Sequence, residues 1–384
     1  MNAQQILADL IAFPTVSDQS NLDLIEYVGT YLSKHGVNST RVYDETGLKA
    51  ALYANIGPDV AGGIVLSGHS DVVPVVGQDW QTNPYTLVEK DGNLYGRGTC
   101  DMKGFLALAL AAVPRALSTN LKRPLQIAIS YDEEIGLYGA PPMIDHMRAG
   151  PLPKAEAVIV GEPTGMQVVT GHKGGIGFDI QMRGHEVHSS IMNEGVSAIM
   201  MAAKLIDWAN ELNAQGAAQT PTTVGTNFYP PYSTAHVGRI SGGTASNITA
   251  KDCRFDFDIR LLPDENRTDW IARIEAKIAN LAAQMQSVHP DAGIDFVQDY
   301  DLNGLSPETN GIAEQIARKI TGDNATHMVS FATEGGQFQE RGYSCVVCGP
   351  GHIAQAHQPN EYISLTQFQR GADFIDGTID HLSH

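Results

Sequence analysis

Gly63-Ile64-Val65-Leu66-Ser67-Gly68-His69-Ser70-Asp71 reads as a short, nearly continuous apolar strand that stops in a polar loop. A strand apolar on both faces belongs inside a sheet covered by helices on each side, as in parallel α/β sheets. The same pattern recurs along the chain. Leu125-Gln126-Ile127-Ala128-Ile129-Ser130 runs into Asp132-Glu133-Glu134, and Ala155-Glu156-Ala157-Val158-Ile159-Val160 runs into Gly161-Glu162. Amphipathic helices are expected over 2–12 and 21–35, with Ser17 or Asp18 as a cap, and a strand near 49–56. Another helix is expected through Phe105–Leu110, and one more after Ala140. In sheets of this kind, ligands gather beyond the carboxyl ends of the strands, where His69, Glu133, Glu134 and Glu162 fall.

The texture changes after Gly171-His172-Lys173-Gly174-Gly175. Strands over 176–183, 234–240, 254–262 and 294–300 alternate with helices over 194–213 and 264–286, around a Thr/Pro/Tyr-rich loop at 215–233. That β-α-β-β-α-β order predicts a small ferredoxin-like α+β layer. Phe255, Phe257 and Ile259 alternate with Asp256, Asp258 and Arg260, giving one apolar and one charged sheet face. From about 304 the first pattern resumes, with a helix over 309–320, a loop at Phe331–Gly336 and a strand over Ser344–Cys348. The expected organisation is therefore a mixed, mainly parallel α/β domain made of residues 1–174 and 304–384, flanked by helices and interrupted by an α+β domain at 175–303.

Composition narrows the function. The chain has 384 residues, 42% hydrophobic and 18% charged, which is ordinary for a globular protein and long enough for two domains. A net charge of −18 argues against nucleic-acid or anionic-membrane partners, which require clustered Lys and Arg. The first ten residues carry no basic region and no apolar run approaches 18 residues, so neither a signal peptide nor a membrane span is expected. Four cysteines make no framework. Cys345 and Cys348 lie three apart in a strand-like run, where their side chains oppose each other, so structural thiols and a cytoplasmic location are expected.

The chemistry collects in five places. In Gly96-Arg97-Gly98-Thr99-Cys100-Asp101-Met102-Lys103-Gly104, glycines let a tight loop deliver one carboxylate, and a carboxylate can place each oxygen on a different cation. His69 and Asp71 stand two apart and project to one side of an extended chain, as a metal-bound imidazole and its orienting carboxylate would. Glu133 and Glu134 face different ways, so one can hold a cation while the other reaches a water as general base. Glu162 ends a buried strand. His357, in Ala356-His357-Gln358-Pro359-Asn360-Glu361-Tyr362, is a further ligand candidate. His172, His236, His327 and His352 receive no role.

Taken in order, SGHSDVVP, GRGTCDMKG, DEEIG, GEPT, GGTASN and AHQPNEY resemble the dinuclear zinc metallopeptidase/deacylase family of the M20 type. That family includes aminoacylase, succinyl-diaminopimelate desuccinylase and glutamate carboxypeptidase. The runs around Phe331–Glu334 and Gly349–Tyr362 look most like its acetylornithine deacetylase branch. The resemblance implies two zinc ions, replaceable by cobalt or manganese, bridged by Asp101. His69 and Glu162 would complete one site, and Glu134 and His357 the other. It also implies Asp71 as orienter and Glu133 as general base. The inserted domain would act as a lid and dimerisation domain, and His188 would be an oxyanion donor given from it, often across a homodimer. His185 is the rival; the four-residue step from Gly184 favours His188. Asn247 and Arg260 would hold the substrate carboxylate, although Arg260 could instead pair with an aspartate on its own sheet face. The implied reaction removes acetyl from N2-acetyl-L-ornithine, in arginine biosynthesis. Alternatives are succinyl-diaminopimelate desuccinylase, another N-acyl-amino-acid hydrolase or a dipeptidase, and, from a different class, a non-catalytic binding protein on the same scaffold. Glu162, where aminopeptidase-like relatives carry Asp, favours acyl-amino-acid or carboxypeptidase-type substrates.

Overall fold

A computed structural model describes residues 1–384. The chain folds as two compact units. The first holds Met1–Gly171, Leu305–Met328 and Thr333–His384; the second holds His172–Gly304 and Val329–Ala332.

The first unit is built on an eight-stranded mixed sheet. Its strands run in the order Ser39–Tyr43, Ala50–Ile56, Leu125–Ser130, Gly63–His69, Ala155–Pro163, Ser344–Gly349, Val169–His172 and His327–Val329. The four central strands, from Leu125–Ser130 to Ser344–Gly349, are mutually parallel, while the next strands outward pair antiparallel. Every residue of Gly63–His69 and Leu125–Ser130 is buried, which is why neither shows a polar face in sequence. The helix Lys103–Ala111 is buried along nearly its whole surface, whereas the flanking helices Leu22–Lys34 and Leu365–Leu382 are amphipathic. One apolar core joins these helices to the sheet.

The second unit runs strand Gly174–Arg183, helix Ala198–Ala218, short strands Thr234–His236 and Ile240–Gly242, strand Asp252–Leu261, helix Arg267–Gln286 and strand Gly293–Leu302. Its antiparallel sheet places Asp252–Leu261 and Gly174–Arg183 at the centre, with Gly293–Leu302 and Thr234–His236 on either edge. This is the split β-α-β order, and it has a separate core in which Phe178, Phe255, Phe257 and Ile259 meet the two helices. No helix is long and apolar enough to cross a membrane.

Three expectations change in detail. The strand expected over 234–240 is two short strands, because Val237, Gly238 and Arg239 leave the ladder between them. The helix expected to end at 213 continues to Ala218. Neither Ser17 nor Asp18 caps the second helix, which begins at Leu22 with Asn21 at its N-cap; the Ser17 hydroxyl instead donates to Asp71 at 2.7 Å.

The central strands approach so closely that some positions admit no side chain. A Cβ on Gly349 would lie 2.0 Å from the carbonyl oxygen of Gly161 in the neighbouring strand, and that neighbour is backbone. Gly349→Ala is therefore expected to cost about 1–3 kcal/mol by overpacking, read as a lower denaturation midpoint with circular dichroism.

Candidate metal centre

The parallel sheet delivers the site. His69 is the last residue of its strand and pairs with Ser130, the last residue of the adjacent one; Glu133 and Glu134 follow Ser130, and Glu162 is the penultimate residue of the third strand. Asp101 comes from the loop before Lys103–Ala111, where Gly98 has φ +85° and an added Cβ would press on Val72 and Lys103. The Asp101–Met102 peptide is cis. His357 comes from the loop after Ser344–Gly349, with φ +63°, and the Gln78 side chain donates to its carbonyl at 2.8 Å.

Asp101 stands between two imidazoles. Its Oδ1 lies 3.1 Å from His69 Nε2, and its Oδ2 lies 3.4 Å from His357 Nε2. Glu162 Oε1 is 3.5 Å from His69 Nε2, and Glu134 Oε2 is 2.9 Å from His357 Nε2. The donor atoms form two overlapping groups, His69 with Glu133 and Glu162, and His69 with Asp101 and Glu134, each within 4.8 Å. The structure thus brings together His69, Asp71, Asp101, Glu133, Glu134, Glu162 and His357. Asp71 meets the His69 ring through two atoms. His69 Nδ1 is 2.9 Å from the Asp71 main-chain oxygen and 3.4 Å from its Oδ1, so the carbonyl fixes the ring at least as firmly as the carboxylate. The Asp71 carboxylate also accepts from Ser17 and from the backbone N–H groups of Glu133 and Glu134, at 3.2 and 3.3 Å.

The electrostatics are those of carboxylates crowded out of water. Burial, with the charge of Asp101, pushes Glu134 up to about 7, and burial pushes Glu133 and Glu162 well above the carboxylate range. Burial alone would lower His69, but the Asp101 and Asp71 carboxylates raise it well above the ordinary imidazole value. Hydrogen bonds to Asp101 and Glu134 raise His357 to about 10. Asp101, despite its burial, is held well below the usual range by His357 and His69. Glu134 Oε1 and Glu162 Oε1 are buried with no hydrogen-bond donor. Oxygens in that state suit a cation, and a donor set of two imidazoles and three carboxylates fits a pair of divalent metals.

Glu361 shapes the Asp101 loop, a role its sequence context did not reveal. Its carboxylate accepts from the backbone N–H groups of Gly98, Cys100 and Asp101 at 3.0, 2.9 and 3.1 Å, and pairs with buried Arg97 Nη1 at 2.7 Å. Glu334 likewise carries no local sequence signal. It lies buried beneath the strand ends, accepting from Ser67 at 2.9 Å and from Ser130. Both sit in ordinary loops, and only their position between polar loop motifs could have singled them out.

His188, Asn247 and Arg260 belong to the second unit. His188 bridges to Ile248, and Ser189 N donates to the Asn247 carbonyl at 2.8 Å, so His188 and Asn247 are neighbours. His188 Nδ1 accepts from the Ser190 N–H at 3.2 Å, which puts the ring proton on exposed Nε2. The rival His185 stacks flat on His289, ring centroids 3.5 Å apart. Arg260, near the far end of Asp252–Leu261, directs Nε to Asp258 Oδ1 at 3.3 Å, the pairing weighed as its alternative.

Known proteins match this chain over nearly its whole length. The family model described as peptidase family M20/M25/M40 matches residues 65–381. An acetylornithine deacetylase of Pasteurella multocida (strain Pm70) is 34% identical over 392 residues, covering 99% of this chain and 96% of the relative. One from Myxococcus xanthus is 35% identical over 387 residues, covering 98% and 96%. Among solved structures, an M20 family metallo-carboxypeptidase from Sulfolobus solfataricus superposes with a TM-score of 0.79 at 17% identity, covering 100% of this chain and 99% of its own, a likeness of fold.

Two measurements test the site. Glu361→Gln leaves Arg97 buried without a counter-charge and is expected to cost about 3–5 kcal/mol, seen as a shifted denaturant midpoint at unchanged slope. Zinc added to chelator-stripped protein should raise the melting temperature, because a ligand of the folded state stabilises it by mass action. Asp101→Ala should abolish most of that rise; an equal rise in the variant would place the metal elsewhere.

Proposed function

The chain belongs to peptidase family M20/M25/M40, and from that premise we propose that it is a zinc-dependent amidohydrolase that removes the acetyl group from N2-acetyl-L-ornithine. The observation that carries the hydrolytic reading is the Asp101 carboxylate, each oxygen turned to a different imidazole and each imidazole to a different glutamate. The substrate choice is supported by the two acetylornithine deacetylases that match nearly end to end.

In this reading His69, Asp101 and Glu162 would hold one zinc ion, and Asp101, Glu134 and His357 would hold the other. When bound, the metal pair would supply Lewis-acid polarisation of the amide carbonyl and a water acidified toward neutral pH. Asp71 keeps the proton of His69 on Nδ1, leaving Nε2 as donor to the centre. Glu133 is the proton carrier. One of its carboxylate oxygens takes a proton from the attacking water as oxygen bonds to the acetyl carbon. It returns that proton to the amine nitrogen as the C–N bond breaks, giving ornithine and acetate. His188 Nε2–H donates to the oxyanion of the tetrahedral intermediate, and Asn247 and Arg260 bind the substrate carboxylate. The second unit serves as lid and as the contact of a homodimer, whose edge strands need cover.

The test is an assay of metal-loaded protein on N-acetyl-ornithine, N-succinyl-diaminopimelate and N-acetyl-methionine, with Glu133→Ala alongside. Preference for acetyl-ornithine is expected, with kcat at least about 100-fold lower in the variant and metal content unchanged. Main activity on either other substrate would sink the acetylornithine reading and keep the mechanism. Sedimentation velocity should give a dimer; a monomer of full activity would remove any action of His188 across subunits.

A further inference from the structure

Lys49 precedes the strand Ala50–Ile56, outside every loop that carries a residue of the metal centre. Its ammonium reaches two loops at once. Nζ donates to the Ser17 carbonyl and pairs with Asp132 Oδ1 at 2.5 Å, and both side chains of that pair are largely buried. Asp132 sits immediately before Glu133 and adopts φ +54°, a left-handed backbone that few L residues take and that Asp tolerates better than most. That turn aims two successive N–H groups, of Glu133 and Glu134, at the two oxygens of Asp71. From the other loop, the Ser17 hydroxyl reaches Asp71 Oδ2 at 2.7 Å. Lys49 therefore grips both segments that hold Asp71, one through a carbonyl and one through a carboxylate.

The anchor itself is rigid. Lys49 N donates to Asp44 Oδ1 at 2.9 Å and its carbonyl accepts from Asp44 N at 3.0 Å. Next to it, Ala50 exchanges hydrogen bonds with the Asn21 side chain, 2.9 Å each, and Asn21 also donates to Ser70, between His69 and Asp71. A compact ammonium with three donors on a fixed base suits this task better than a planar guanidinium would.

We infer that Lys49 is a positioning residue of the hydrolytic centre: acting through Asp132 and Ser17, it sets the Glu133–Glu134 pair against Asp71. The inference rests on the proposed roles of those glutamates, proton carrier and metal ligand. Removing the ammonium leaves Asp132 buried beside Asp71 without a counter-charge, so the turn relaxes and both glutamates swing with it. Loss of such an outer partner costs about 10- to 100-fold in activity or metal affinity.

The test uses the full chain as Lys49→Met, Lys49→Arg, Asp132→Asn and the Lys49→Met/Asp132→Asn double variant. For Lys49→Met, kcat on the best substrate should fall about 10-fold or more with KM nearly unchanged, and one of two zinc equivalents should bind about 10-fold more weakly by calorimetric titration. Lys49→Arg should recover part of both losses. Asp132→Asn should lower kcat in the same direction, and the double variant should be no worse than Lys49→Met. Unchanged kcat and zinc binding in Lys49→Met would overturn the inference, as would losses that multiply in the double variant. Should Lys49→Met not fold, Lys49→Arg and Asp132→Asn decide by the same two readouts. Should the wild type hydrolyse none of the three amides, the functional reading fails, while the zinc titrations still decide the role of Lys49.

Discussion

A carboxylate taken out of water must be met by a positive charge or by hydrogen-bond donors. In this protein that demand is concentrated where four parallel strands end. Glu361 meets it with three backbone N–H groups and Arg97, and in doing so curls the loop that presents Asp101. Asp71 meets it with a serine hydroxyl and two backbone N–H groups, which ties the loop after one strand to the loop after the next. Asp101 meets it with two imidazoles. Glu134 and Glu162 each keep one buried oxygen without a donor. The carboxylates of Glu361, Asp71 and Asp101 beside them are each met by donors, so the buried carboxylate oxygens left unmet are those of Glu134 and Glu162.

The parts of this architecture that were legible in sequence share a property: each carries its own signal. A strand buried on both faces cannot hide its apolar run, and a candidate ligand at its end stands out against it, as His69, Glu133, Glu134 and Glu162 do. The short strands Val88–Lys90, Asn93–Tyr95 and Tyr362–Ser364 were not legible, because three residues hold no period and their pairing depends on distant partners. The same is true of the supporting side chains. Lys49 meets Asp132 across 83 positions, Glu334 meets Ser130 across 204, and Arg97 meets Glu361 across 264. Nothing local marks them, since a lysine after a turn or a glutamate in a loop is the common lot of surface residues. The fold alone turns them inward. Arg260 illustrates the converse, a residue whose alternating pattern was clear in sequence and whose Nε meets Asp258 only two positions away.

Support is distributed unequally over the centre. His69 is wholly buried at the end of a central strand, with its ring fixed from Nδ1, and Glu162 belongs to the adjacent strand. Behind Asp101, the buried helix Lys103–Ala111 is fastened by Lys103, whose ammonium donates to the Leu10 and Phe13 carbonyls and is pushed down to about 7 by burial. His357, in contrast, has a side chain 51% exposed, on a loop whose left-handed residues His357 and Asn360 are held by Gln78 and Gln81 from another loop. The half of the centre on His69 and Glu162 is preorganised by the sheet. The half on Glu134 and His357 depends on loops, and its geometry is only as fixed as the contacts behind those loops. Supporting interactions matter most where the scaffold supplies least, and the network running from Ser17 and Asp71 to Lys49 and Asp132 braces the loop that carries Glu133 and Glu134.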